Sequence, residues 1–296
     1  MTFFDVGKGS SVLFEGPEKN ILIDAGSSAG ASQANYVGAV EDELNDDNGE
    51  ATLHHVVVSH NDTDHIGYVD DLMDSDDVEV RNLYFNGIDA GNRAEDGVDR
   101  EFDSSEMNSH IIDQAGASRQ ITDAGLTVRV ARPDTTNIDG VSTSDVNANS
   151  LITRVEYGDQ TFLMPGDIPA PVEEWVVSKS NIDLTEVDVL QAQHHATQEE
   201  DDGVFSRTFS DRLASDTTVV IQNRNTDTSS EFHPNCQALR NMVGEVGGVH
   251  WTAEHGRLEI TISSEDGMAE RPSREAEIPT ALLPRVNNGE GGCATG

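Results

Sequence analysis

The chain has 296 residues, 35% of them hydrophobic, enough to bury one large core or two smaller ones. Its 55 acidic residues against 18 basic ones give a net charge of -37, which at ordinary ionic strength repels nucleic acid and anionic membranes. Cys236 and Cys293 lie too far apart to imply a disulfide framework or a cysteine metal site, and no apolar run reaches the roughly 18 residues of a membrane span.

Only three basic residues are lysines, Lys8, Lys19 and Lys179. Acid excess with scarce lysine resembles the composition of proteins from salt-in halophiles, whose cytoplasm screens such self-repulsion. In molar salt the Debye length falls to about 3 Å. Net charge then no longer excludes a phosphate-bearing substrate, because the local potential decides and a bound cation can supply it. An acidic disordered chain is the competing reading of such a composition, and the regular apolar strands argue against it. No basic stretch followed by an apolar one opens the chain. The expectation is a cytoplasmic protein without membrane insertion.

Residues 2–6 and 11–15 read as strands around a Gly7-Lys8-Gly9 turn, and 20–24 as a third, ended by Ala25-Gly26. A helix plus loop is expected over 30–50, a buried strand over 53–59, a helix over 66–73 and a strand over 78–85. The polar, acidic stretch 86–118 reads as a helical insertion over the site. A strand at 126–131 and a loop at 133–147 follow. Strands are then expected at 150–157, 160–164, 187–191, 218–222 and 258–263, with helices at 170–180 and 234–245. Beyond 265 the composition turns to Pro, Gly, Glu and Ser. This gives a folded domain over 1–264 and a mobile tail over 265–296. Two strand-rich halves, each with helices, predict an α/β (α+β) fold, a four-layer αββα sandwich of two mixed sheets.

The most informative stretch runs from Ser59 to Gly67. It places His60, Asp62, Asp64 and His65 within six residues, directly after the apolar run Val56-Val57-Val58. Imidazole and carboxylate suit Zn²⁺, Mn²⁺ or Fe. Asp24, Asp167 and the pair His194-His195 end three further expected strands. Four strand ends that each carry an acid or a histidine are what a metal site on sheet edges requires. His54, His55, His110, His250 and His255 read as structural, and Trp175 and Trp251 as packing residues.

These residues fall into an ordered series of phrases. Asp5-Val6-Gly7-Lys8-Gly9-Ser10-Ser11 is followed by Ile23-Asp24-Ala25-Gly26 and then by His60-x-Asp62-x-Asp64-His65. Asn147-Ala148-Asn149-Ser150-Leu151, Gly166-Asp167, His194-His195-Ala196-Thr197, His233-Pro234 and Trp251-Thr252 to Gly256 complete it. The series resembles the metallo-β-lactamase superfamily, most closely the ComEC-like hydrolase domain. The resemblance spans residues 3–262 and lacks the channel segments of that family.

The resemblance implies one or two divalent ions, Zn²⁺ or Mn²⁺. One position would rest on His60, Asp62 and a bridging Asp167. The other would use Asp64, His65, Asp167 and one of His194 and His195. Asp62 stands where the superfamily usually has histidine, and its mid-chain histidine ligand has no counterpart, with Asn149 or Ser150 near that place. The first position is therefore expected to be the weaker. Ala196 replaces a usual glycine, tolerable unless the backbone there needs positive φ. Asp24, Asn149 and Ser150 are expected behind the ligands. Lys8 is a candidate for touching substrate phosphate.

The function so implied is hydrolysis by a metal-activated water, acting on a phosphodiester, nucleic acid among the candidates. Asp62 or Asp64 would orient the water or take its proton. His233, or whichever of His194 and His195 does not ligate, would protonate the leaving oxygen. The alternatives are hydrolysis of a small ester, thioester or lactone, and a catalytically weak metal-binding regulatory module.

Overall fold

The structure, a computed structural model, describes residues 1–27, 33–44, 51–88, 108–179, 184–197, 205–222, 234–242, 245–263 and 267–272. Strands and helices are numbered in chain order. The first sheet holds β1 (Thr2–Phe3), β2 (Val12–Glu15), β3 (Asn20–Ile23), β5 (His55–Val57), β7 (Asn82–Phe85), β8 (Asn108–Ile111), β16 (Leu258–Ser263) and β17 (Gly267–Pro272). Their spatial order is β17-β16-β1-β2-β3-β5-β7-β8, antiparallel up to β3 and parallel beyond it.

The second sheet holds β9 (Ser118–Asp123), β10 (Leu126–Ala131), β11 (Ile152–Tyr157), β12 (Gln160–Met164), β13 (Val189–Gln191), β14 (Thr218–Ile221) and β15 (Gly248–Trp251). It runs in the order β15-β14-β13-β12-β11-β10-β9, and its β12-to-β15 half is parallel. A two-stranded ribbon pairs β4 (Ala51–Leu53) with β6 (Val78–Val80).

Period-two side-chain alternation builds the four layers. In β3, Ile21 and Ile23 join Phe14, Val128, Val155, Phe162 and Val220 in a core between the two sheets. Leu22, on the opposite face, packs with Tyr36 and Val40 of α1 (Gln33–Leu44), with Ile66 of α2 (Thr63–Ile66) and with Leu72 of α3 (Val69–Met73). Leu163, Leu190 and Val219 face outward from the second sheet. They meet Val172 and Val176 of α4 (Ala170–Lys179), Phe209 of α5 (Arg207–Ser210) and Leu239 of α6 (Cys236–Met242). The expected αββα sandwich is the observed fold. A further short helix, α7 (Thr252–His255), follows β15.

Several expected elements come out differently. The strand expected over 53–59 is two strands in two sheets, β4 and β5. The break falls at His54, whose Nδ1 accepts the Asn20 N–H while its own N–H donates to the Asn20 carbonyl. The strand expected over 78–85 breaks likewise at Arg81, between β6 and β7. The helix expected from 66 starts earlier, at Thr63, and is interrupted at Gly67-Tyr68. Of the expected insertion, 89–107 lie outside the described residues. The part described from 108 to 111 is an edge strand, not helix. Strand β17 pairs with β16 from Leu258↔Pro272 to Ser263↔Gly267, and residues 264–266, where the domain boundary was expected, lie outside the described ones. Residues 273–296 lie outside the described ones.

Candidate metal centre

The parallel halves of both sheets send their carboxyl ends to one edge of the sandwich. Asp24 follows β3, the His60–His65 segment follows β5, Asp167 follows β12, and His194-His195 follow β13. Two glycines permit the approach. A Cβ on Gly26 would stand 2.4 Å from the Asp64 carbonyl carbon and the His65 nitrogen. One on Gly166, whose φ is +64°, would stand 2.8 Å from Ser150 Cβ and 3.0 Å from Ser59 Cβ.

Asp24 is fully buried with φ of +56°. Its Oδ1 accepts the Ser59 N–H at 2.7 Å, and its Oδ2 accepts the Ser59 hydroxyl at 2.9 Å. His65 Nδ1–H also donates to Oδ2, at 2.7 Å. The Ser59 hydroxyl has one proton, and Asp24 takes it. The 3.0 Å contact between Ser59 Oγ and His60 Nδ1 therefore has His60 donating. Ser150 Oγ lies 3.3 Å from the same nitrogen and accepts the Asp167 N–H at 3.2 Å. His195 Nδ1–H donates to the Gln222 carbonyl at 2.9 Å. This hydrogen-bond network assigns Nδ1 as the donor in all three rings and leaves Nε2 as the atom open to a cation.

Those Nε2 atoms converge on the carboxylates. His65 Nε2 lies 2.9 Å from Asp167 Oδ1, and His60 Nε2 lies 3.8 Å from Asp167 Oδ2. His195 Nε2 lies 3.5 Å from Asp64 Oδ2 and 3.9 Å from Asp167 Oδ2. His194 Nε2 reaches to 3.6 Å of Asp167 Oδ2. Asp62, with its side chain 43% exposed, sits 3.6 Å from His60 Nε2.

Two ligand sets each gather their donor atoms within 4.8 Å: His60, His65 and Asp167, and Asp64, His65 and His195. The buried His60 Nε2 has no hydrogen-bond partner, an arrangement that costs free energy unless a cation takes the lone pair. Imidazole nitrogens with carboxylate oxygens fit a divalent ion.

Electrostatics follow from this crowding. Burial lowers the His65 pKa, but Asp167 and Asp24 on either side outweigh it and raise it well above the usual imidazole value. Burial raises the Asp167 pKa, and His65, His194 and His195 overcome it and hold it well below the usual carboxylate range. For Asp64, burial is likewise outweighed, by His195 and His65, and the pKa falls. Contact with His60 lowers that of Asp62. A proton on His65 thus occupies the charge position a cation would take, so cation binding releases a proton.

The His194-His195 turn is strained. His194, His195 and Ala196 have φ of 45°, 54° and 56°. Each costs about 1–2 kcal/mol in a non-glycine residue. Ala196 thus does occupy a position that favours glycine.

The other expected residues are placed as follows. Lys8 Nζ lies 3.3 Å from Asp64 Oδ2, at the rim of the cluster. Ser150 backs His60 and Asp167. Asn149 is engaged elsewhere: its Oδ1 accepts Arg132 Nη2 at 2.9 Å, Arg132 Nε at 3.2 Å and the Thr135 hydroxyl at 3.0 Å. Arg132 also donates to the Asn86 and Asp113 carbonyls, and so knits the loops beneath the site. His233 lies outside the described residues. Sequence reasoning missed the roles of Ser59, Arg132, Glu173 and Gln222. For Ser59 a signal existed, its place between a strand and the first histidine.

The family model of the metallo-beta-lactamase superfamily matches residues 4–129. Over those residues the chain is similar to that superfamily, and the αββα sandwich is consistent with the likeness. Among solved structures it is similar to Zn(2+)-bound PqqB from Methylobacterium extorquens, at 13% identity and a TM-score of 0.45, over 81% of this chain and 85% of that one. A putative metal-dependent hydrolase from Parabacteroides distasonis aligns at 10% identity and a TM-score of 0.44, over 84% and 90% of the two chains. Human tRNase Z, short form, aligns at 13% and 0.40, over 85% and 92%. No curated protein sequence matches the chain.

Proposed function

We propose that this protein is a metal-dependent phosphodiesterase, with nucleic acid among its candidate substrates. The observation that carries the reading is the position of Asp167. Its Oδ1 faces His65 while its Oδ2 faces His60, His194 and His195. One carboxylate thus reaches histidines of both ligand sets, as expected where two ions would sit close enough to act together on the attacking and leaving oxygens of an in-line displacement.

His60 and Asp167, with Asp62 beside His60, would hold one Zn²⁺ or Mn²⁺, and Asp64, His65 and His195 the other. A divalent ion so held supplies Lewis acidity and a water activated near neutral pH. The chain's own residues do the rest. Asp24 and Ser59 fix the tautomers of His65 and His60. Asp62, the most exposed carboxylate of the set, would orient the attacking water and take its proton. His194, whose side chain is 12% exposed, would protonate the leaving oxygen. Lys8 at the rim matches the charge of a phosphodiester anion.

The test is turnover of bis-p-nitrophenyl phosphate with Mn²⁺ or Zn²⁺ in molar KCl, beside a lactone and a thioester. Hydrolysis of the phosphodiester supports the proposal. Turnover of the lactone or thioester alone replaces it with the small-ester reading, and metal binding without any turnover replaces it with the regulatory one.

A further inference from the structure

Glu173 lies outside the ligand cluster, and the chemistry proposed above does not use it. It sits on α4, which opens just after the Asp167 strand end, with the Val172 and Glu173 N–H groups both donating to the Pro169 carbonyl. The side chain is fully buried. Its Oε1 accepts Gln193 Nε2–H at 3.0 Å and the Phe205 N–H, and its Oε2 accepts the Ser206 N–H at 2.8 Å. Gln193, also fully buried, immediately precedes His194. Phe205 has φ of 55°.

One carboxylate therefore ties the residue before the histidine turn to residues 205 and 206 beyond it, and both to the helix that follows Asp167. The turn itself needs such anchoring. Its three consecutive residues with positive φ hold that conformation only where surrounding contacts over-determine it. The Gln222 carbonyl and Gly166 carbonyl fix His195 Nδ1 and the His194 N–H from one side. Glu173 supplies the attachment from the other.

We propose that Glu173 is a positioning residue for His195, holding the strained turn in the one conformation that aims Nε2 at Asp64 and Asp167. The role of His195 as a ligand rests on the metal-centre reading, whereas the positioning of its ring does not. Buried supports of this kind contribute about 10–100-fold to metal affinity.

The experiment uses the full chain, as wild type, Glu173→Gln and Gln193→Met. The glutamine variant keeps the shape but loses one acceptor, and the methionine variant removes the link to the turn. In metal-free protein, the His195 and His65 Nδ1–H resonances are followed by NMR, together with their exchange rates. Zn²⁺ affinity is measured by chelator competition, and the Co²⁺ absorption spectrum reports the ligand set. The expected result is a shifted, faster-exchanging His195 Nδ1–H in both variants with His65 unchanged. Zn²⁺ affinity should drop tenfold or more, with a Co²⁺ spectrum that has lost an imidazole.

Wild-type behaviour of the His195 resonance in both variants overturns the inference whether or not metal binds. Equal loss of the His195 and His65 signals, or collapse of both variants, shows a role in the fold at large and overturns it too. If wild type binds no Zn²⁺, the metal-centre reading fails, and the His195 resonance still decides the positioning role.

Discussion

The proton arrangement around Asp24 decides which nitrogen of each histidine faces the site. Asp24 accepts from Ser59 twice and from His65 once, all at 2.7–2.9 Å, so two rings depend on one carboxylate. Asp24→Asn is a sharp probe, since asparagine tolerates the φ of +56° there while its amide group reverses one of those bonds. Zn²⁺ affinity should fall by about 10–100-fold with the fold intact, as read by chelator competition and circular dichroism. Asp64→Ala or His65→Ala removes a proposed ligand outright and should abolish tight binding in a folded protein. Full metal content by plasma emission in either variant would refute the ligand assignment. At this scale the sequence was informative wherever a strand ended in an acid or histidine, as at Asp24, His60, Asp167 and His195. It was silent where ordinary residues carry the load. Gln222 acts on His195 through its backbone carbonyl, which no side-chain identity encodes, and Arg132 reveals itself only through the loops it joins.

Elements bring these residues together, and close backbone approach limits what they tolerate. Gly26→Ala would drive a methyl into the Asp64-His65 peptide at 2.4 Å. Rigid backbone cannot relax like a side chain, so the variant should lose about 1–3 kcal/mol or more of stability, measured by denaturant unfolding. Glu173 gives a second test at this scale. Burial outweighs its hydrogen bonds to Ser206 and Phe205 and pushes its pKa up to about 7 from 4.5. The folded state therefore binds more protons than the unfolded state between those values, and this group weakens stability as pH rises from about 4.5 to 7. Glu173→Gln lacks the effect. The wild-type unfolding free energy minus that of the variant should fall across this window by up to about 3 kcal/mol. A flat difference would show that Glu173 stays ionised throughout. Apolar runs were legible as strands, but not where the chain changes sheet. Residues 53–59 read as one strand, yet His54 is bonded to Asn20 and the stretch divides between β4 and β5. The edge strands β9 and β17 were missed because the sequences 118–123 and 267–272 lack the apolar–polar alternation that marks a half-buried strand.

Over the whole molecule, the acids separate into two populations. Among the described acidic residues only Asp24, Asp64, Asp123, Asp167 and Glu173 are buried, and three of these belong to the candidate metal centre. Self-repulsion of a -37 chain destabilises the compact state, and salt relieves it as the Debye length shrinks from about 10 Å at 0.1 M to about 3 Å at 1 M. Relief of a few kcal/mol would raise the melting temperature by about 10 °C between those concentrations of KCl, in the presence of chelator. The same field acts on the substrate. A nuclease with a basic surface loses affinity for phosphate-bearing substrates as salt rises, because counterions compete for its contacts. Here the long-range field opposes an anion while the local cations, Lys8 and the bound metal, attract it. Salt screens the distant, exposed charges far more than the short-range contacts of a partly buried site. The KM for bis-p-nitrophenyl phosphate should therefore fall as KCl rises from 0.1 to 1 M at saturating metal, the reverse of the usual dependence. A KM that climbs with salt would mean that the anion meets a basic surface on its way in, and the composition would then be a poor guide to how substrate reaches this centre.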